Sequence, residues 1–249
     1  MSAVSILPLE GIPSVQPGDD LARLLAEAIR SAGGLEPRDI VVVCQKIVSK
    51  AEGRVARLSE VEAGDKAKAF ARKYEKDPAM VELALRESTE VLRMVDGHLI
   101  TATAKGFIAA NSGIDRSNQS ADGMVTLLPR DSDLSAARLR EGLARQFGVE
   151  VPVLVTDTFG RPWRLGQIDF AIGAAGMNVL DDHAGRADWS GRVLEHTVIA
   201  VADQVAAAAG MVMAKDGGIP AVIVRGFDWE AGGQDAGNLV RPKAQDLFR

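Results

Sequence analysis

The sequence offers four segments whose residue types and spacing could do chemistry. In the first, Val155-Thr156-Asp157-Thr158-Phe159-Gly160-Arg161, a valine-rich run leads into an aspartate held between two threonines. The pattern predicts a carboxylate just beyond the end of a buried strand, aimed at a crevice from a rigid support. Carboxylate and hydroxyl oxygens suit hard cations such as Mg²⁺ or Mn²⁺, and the same residues also suit an Asx turn or a helix cap. In the second, Ala110-Asn111-Ser112-Gly113-Ile114-Asp115-Arg116-Ser117-Asn118, a short apolar run empties into a polar turn. Convergence of Asp115 with Asp157 would make an oxygen-ligand pair, while a capped turn explains the same residues without a metal.

The third segment runs from Cys44 to Arg54 and brings Lys46, Lys50 and Arg54 within nine positions. Lysine meets phosphate as a point charge and arginine clamps it bidentately; Glu52 partly neutralises the run, which equally reads as a solvated basic face. In the fourth, Ala214-Lys215-Asp216-Gly217-Gly218-Ile219-Pro220, paired glycines would let the backbone approach a ligand and turn N–H groups toward an anion. They suit the C-terminus of a helix equally well.

These segments need elements to position them. Residues 19–33 carry Leu21, Leu24, Leu25, Ala28 and Ile29 on one stripe, predicting a helix capped by Asp19 and stopped at Gly33-Gly34. Pro78 follows Asp77 as a first helical residue should, and Val81, Ala84, Leu85, Ser88 and Leu92 share a face. Ala136, Leu139, Leu143 and Phe147 line a third helix, and the alanine-rich residues 194–214 read as a long fourth. Runs at 40–44, 99–103, 107–110, 124–128, 151–155 and 221–224 read as strands, with Lys105-Gly106 at hairpin spacing between two of them. Strands and helices do not alternate steadily, so the expected class is α+β with mixed sheets, in one domain over 1–249 without a clean linker between any interlocked halves.

Composition narrows the function. At 47% hydrophobic and 25% charged, the chain is ordinary for a globular protein. A net charge of −5 and 4% aromatic residues argue against a nucleic-acid surface. A single cysteine excludes an intrachain disulfide and a cysteine-rich zinc site, and fits a reducing compartment. No signal peptide and no run of about 20 apolar residues is evident, so a soluble cytoplasmic protein with no membrane partner is expected. There is no GxxxxGK[ST], GxGxxG or GxSxG motif, and the three histidines show no ligand spacing and read as surface or hydrogen-bonded residues.

Taken in order, the segments resemble the coenzyme F420-0:γ-glutamyl ligase family. The likeness runs through Leu7-Pro-Leu-Glu-Gly-Ile-Pro13, Val43-Cys44, Ser49-Lys50-Ala-Glu-Gly-Arg54, Glu87-Ser-Thr-Glu-Val-Leu92 and Asn111-Ser-Gly-Ile-Asp-Arg-Ser-Asn118. It continues through Thr156-Asp-Thr-Phe-Gly-Arg161, Phe170-Ala-Ile-Gly173, Val201-Ala-Asp203 and Gly218-Ile-Pro-Ala-Val-Ile-Val-Arg-Gly226. The resemblance implies a family-specific α+β fold in an intertwined homodimer. It implies GTP-dependent, γ-linked ligation of L-glutamate to F420-0 through an acyl phosphate, with Mn²⁺ or Mg²⁺ required and K⁺ assisting.

By matching motif, the resemblance makes Asp115, Asp157 and Thr158 metal ligands, and makes Ile12, Pro13, Ser14, Val15, Gln45, Lys46, Lys50 and Asn118 nucleotide contacts. It extends the nucleotide site to Ala214, Lys215, Asp216, Gly217, Gly218 and Ile219, where the chain departs from members with a longer, more acidic loop. It names no general base. Some relatives carry a further flavin-binding domain, for which this chain has no room, so no flavin is expected. Two other readings keep the same site residues: a ligase acting on a different carboxylic acid, and a non-catalytic nucleotide-binding protein.

Overall fold

The computed structural model describes residues 3–117, 122–214 and 216–246. Its first half runs β1 (Ser5–Pro8), α1 (Leu21–Ser31), β2 (Ile40–Cys44), α2 (Gln45–Ala51), β3 (Val55–Arg57), α3 (Asp65–Tyr74), α4 (Pro78–Arg86), β4 (Glu90–Val95), β5 (His98–Ala102) and β6 (Ile108–Ala110). The second half runs β7 (Met124–Thr126), α5 (Ser132–Phe147), β8 (Val153–Arg161), β9 (Arg164–Ala175), β10 (Leu180–Asp182), β11 (Val198–Ala200), α6 (Val201–Gly210) and β12 (Ala221–Arg225).

Alternation along the strands decides the architecture. In β2, Val41 and Val43 join one core with α1, α5 and Ile223, while Ile40 and Val42 join another with α6 and Val224. A strand apolar on both faces has to be covered on both faces. The five-stranded sheet, ordered β1-β12-β2-β8-β9, is therefore sandwiched between helices. Within it only β2 and β8 run parallel. A third core, holding Phe70, Leu83, Leu99 and Val125, sits beneath the three-stranded β4-β5-β6 sheet and the β3-β7 pair. The molecule is thus the expected mixture of helices and several sheets, with the β5-β6 hairpin where Lys105-Gly106 predicts it.

Helix ends follow their caps. Asp77 accepts from the amides of Ala79 and Met80, with Pro78 next, as expected. On α1 the cap is Asp20, which accepts from the Arg23 amide; Asp19 instead accepts from Gln16 N at 2.8 Å. The expected face through Ser88 and Leu92 is cut short, because α4 ends at Arg86 and Leu92 belongs to β4. The predicted 194–214 helix shrinks to α6: Val198 and Ile199 are β-branched and pair with β10, and helix begins only at Val201.

Two close approaches fix the sheet against its helices. Gly173 in β9 lies so near α5 that a Cβ there would collide with the Ser132 carbonyl. Asp133, one residue further along α5, accepts from Ala174 N and Ala236 N, both at 2.9 Å, tying helix, sheet and C-terminal segment together.

On the other face, Asp203 of α6 accepts from Ala171 N at 3.0 Å. Burial pushes its carboxyl above the usual carboxylate range, against the smaller opposing effect of that hydrogen bond. Between the ordinary and the raised value the folded chain holds more protons than the unfolded one, so this group's contribution to stability falls as pH rises through that window. Asp203→Asn keeps an acceptor for the Ala171 amide and removes the buried charge. Its thermal midpoint is expected to exceed the wild-type value at pH 7, with the gap closing toward pH 4. A midpoint below wild type at pH 7 would contradict this assignment.

Candidate functional site

The sheet order delivers the predicted residues to one end of the central sheet. Pro8 pairs with Val222, Ala221 with Val43, and Cys44 with Thr156, so the C-terminal ends of β1, β2 and the buried half of β8 lie level with the N-terminal end of β12. Backbone bonds draw the flanking loops in: Leu9 N donates to Ala221 O at 3.0 Å and Cys44 N to Pro220 O at 2.8 Å. Gly18 N donates to Ala51 O at 2.9 Å, which folds the segment carrying Ile12, Pro13, Ser14 and Val15 back onto the end of α2. Gly217, Gly218 and Ile219 lead into β12 at the same end, with Gly217 N turned back onto Ala214 O and Gly218 at φ +66°, where glycine is favoured. Carboxyl ends of parallel strands are where open sheets expose a ligand crevice. Ala214 and Asp216 flank this turn; Lys215 and Asn118 lie outside the described residues.

Charges gather here. Lys46 Nζ is 2.9 Å from Asp115 Oδ2 and donates to Ser117 Oγ at 2.6 Å. Burial works against the Asp115 charge, but the Lys46 ammonium and the Ser117 amide and hydroxyl outweigh it, holding the carboxyl below its ordinary value. Lys50 is held below the ordinary lysine value by burial and then by the like charge of Lys46, and it also feels Asp115. Cys44 lies within electrostatic reach of both Lys46 and Asp157, and burial pushes its thiol up. Lys46, Lys50, Asp115 and Asp157 therefore surround the β2–α2 junction. Gln45 is 1% exposed; its Oε1 accepts from Ser49, while its Nε2 has no hydrogen-bond partner among the described residues. A buried donor in that state favours an arriving acceptor.

One expectation changes. Asp157 does not sit beyond a strand: β8 continues through it to Arg161, paired with β9 throughout. A register shift between Val155 and Thr156 resets the pleat. Successive strand residues face opposite ways. Thr158 accordingly turns away from Asp157; its hydroxyl donates to Asp169, whose carboxylate packs against Gly210 of α6. Asp169, Ser117 and Asp133 were not singled out from the sequence as site residues. Only the β8–β9 pairing exposes Asp169, and only long-range hydrogen bonds expose Asp133. Among the described residues no three His, Cys, Asp or Glu side chains form a metal-holding group. His183 pairs with Asp181 at 2.7 Å, and His98 and His196 are exposed, the hydrogen-bonded and surface settings expected for them.

Comparison with known proteins places the chain in a family. Residues 11–226 match the family described as F420-0:Gamma-glutamyl ligase. The "Coenzyme F420:L-glutamate ligase" of Methanothermobacter thermautotrophicus is 43% identical over 250 residues, covering 99% of each chain. Those of Methanopyrus kandleri and Archaeoglobus fulgidus are each 41% identical, covering 100% of both chains in the first case, and 99% of this chain and 96% of the relative in the second. The protein is a ligase. It belongs to the F420-0:γ-glutamyl ligase family. No helix among the described residues is long and apolar enough to cross a membrane.

Proposed function

We propose that this chain joins L-glutamate to coenzyme F420-0 through γ-linked amide bonds, with GTP as the second substrate, in F420 biosynthesis. The observation that carries the reading is the full-length similarity to ligases of that name, joined to a cluster of lysines and aspartates at one sheet end. A carboxylate and an amine at neutral pH exchange a proton instead of condensing, so the acid must be activated. The carboxylate oxygen of F420-0 attacks the γ-phosphorus, GDP leaves, and an acyl phosphate results. The glutamate amine then attacks the acyl carbon, and phosphate departs with the C–O bond electrons.

Such transfers need positioning and neutralised charge more than covalent help. Lys46 and Lys50 meet the phosphates, and Gln45 and the segments Ile12–Val15 and Ala214–Ile219 frame the nucleotide together with Asn118. The donor set is all oxygen, which fits Mg²⁺ or Mn²⁺. Two carboxylates without a third match a metal whose remaining positions are taken by substrate phosphates and water, so Asp115 and Asp157 are its holders. Once bound, the metal neutralises phosphate charge. Thr158, with Asp169 behind it, serves a second ion, and K⁺ assists. No flavin takes part.

The protein works as a homodimer in the cytoplasm, as one ligase domain. Support for the dimer comes from the β8–β9 end, where Trp163 is 79% exposed and Leu165 fully so, and from the fully exposed Trp189. Purified protein with F420-0, L-glutamate, GTP and Mn²⁺ is expected to yield products heavier by successive glutamyl residues on mass spectrometry. Neither GTP-free nor metal-free mixtures should do so. GDP release without any change in F420-0 mass would point to another acid as acceptor.

A further inference from the structure

A cavity of about 310 Å³ has Arg54, Glu87, Thr103, Lys105 and Arg130 in its lining, with apolar residues and two serines. It shares two segments with the lysine–aspartate cluster. Arg54 follows α2 and accepts at its carbonyl from Leu127 N. Ser112, also in the lining, lies three residues before Asp115, which is bridged to Thr126. The volume is at the small end of ligand pockets, right for a small polar molecule and tight for a nucleotide.

The lining carries both signs of charge, built in and braced. Arg54 donates to Leu128 O at 3.0 Å and to Glu87, and only 14% of its side chain is exposed. Lys105 is held by Asp131 at 2.8 Å and Asp133 at 3.1 Å. Arg130 stands exposed at the rim with no hydrogen bond or ion pair among the described residues. Thr103 is 9% exposed, and its buried hydroxyl has no partner among the described residues. A hydroxyl left in that state favours an arriving acceptor.

A ligand suited to this lining presents carboxylates to arginine and hydroxyl, and a cationic group to Glu87. Arg54 takes one carboxylate oxygen of Glu87, and the second oxygen of a carboxylate can accept as well. We infer that this cavity receives the amino-acid substrate, L-glutamate, with Arg130 and Thr103 gripping a carboxylate and Glu87 facing the ammonium. The inference rests on the ligase reading above.

Steady-state kinetics of Arg130→Ala and Thr103→Val test it, with F420-0, GTP and Mn²⁺ saturating. KM for L-glutamate is expected to rise about tenfold or more in the first and several-fold in the second, with KM for GTP within about twofold of wild type. Arg130 is exposed and Thr103→Val is nearly isosteric, so thermal midpoints should stay near wild type. If wild type makes product but neither variant shifts the glutamate KM, or the GTP KM rises in parallel, the cavity assignment falls and the ligase reading stands. If wild type forms no glutamylated product, both fall together.

Discussion

Asp157→Asn removes ligase turnover while the protein stays folded. The substitution keeps the side-chain volume and leaves the β8 pairings on both sides untouched, since these run through backbone groups. What it removes is one of the two negative charges proposed to hold a divalent cation beside Lys46 and Lys50. An amide oxygen is a weaker ligand for a hard cation, and the crowded phosphates then lose part of their neutralisation. Turnover at saturating substrates is expected to fall by about 10²–10³-fold or more, with the far-ultraviolet spectrum and thermal midpoint essentially unchanged. A folded variant with near-normal turnover would remove Asp157 from the metal site.

Gly173→Ala is expected to act on the fold instead. Its new methyl group would meet the Ser132 carbonyl oxygen, carbon and Cβ, which are mostly backbone at the start of α5 and cannot rotate away. Relief requires α5 to lift from β9, and that strains the bonds from Asp133 to Ala174 and Ala236. Overpacking of this kind costs about 3 kcal/mol, or roughly 6–12 °C in Tm for a chain of this size. Gly160→Ala, in the same hairpin with nothing within 4 Å of its Cβ, supplies the control. It should change stability by less than about 0.5 kcal/mol. Equal midpoints for the two variants would show that α5 does not press on Gly173.

The parts of this molecule that sequence reveals are those where local pattern and tertiary burial agree. The stripe from Leu21 to Ile29 could only be a half-buried helix, and α1 buries Leu21, Leu24, Leu25, Ala28 and Ile29. The run at 40–44 is apolar on both faces and becomes the strand at the centre of the sheet. The outer half of β9 gives no such signal, because Arg164, Leu165, Gly166 and Gln167 are exposed and have no core to imprint a period. β11 is hidden differently: Val198-Ile199-Ala200 runs into an alanine-rich helix, and only its pairing with β10 separates the two. For the site, Lys46 and Asp115 were each visible as candidates, yet their 2.9 Å contact joins segments 69 positions apart in number, and no spacing rule reaches that far. The orientation of Thr158 away from Asp157 follows from the extension of β8 through both residues, where the run of apolar residues that marks its buried half has already ended.

The pairing of β1 with β12 also sets a timetable. Ser5 faces Arg225 and Pro8 faces Val222, so the strand leading into the Ile12–Val15 segment has no neighbour until the last strand has been made. A ribosome adds about 5–20 residues per second, so the first strand waits many seconds for its partner. The α2 cluster likewise lacks the β8 side of the crevice until residue 153 is out. The nascent chain therefore carries Lys46 and Lys50 long before the crevice that surrounds them, and the proposed nucleotide pocket is among the last parts of the protein to form.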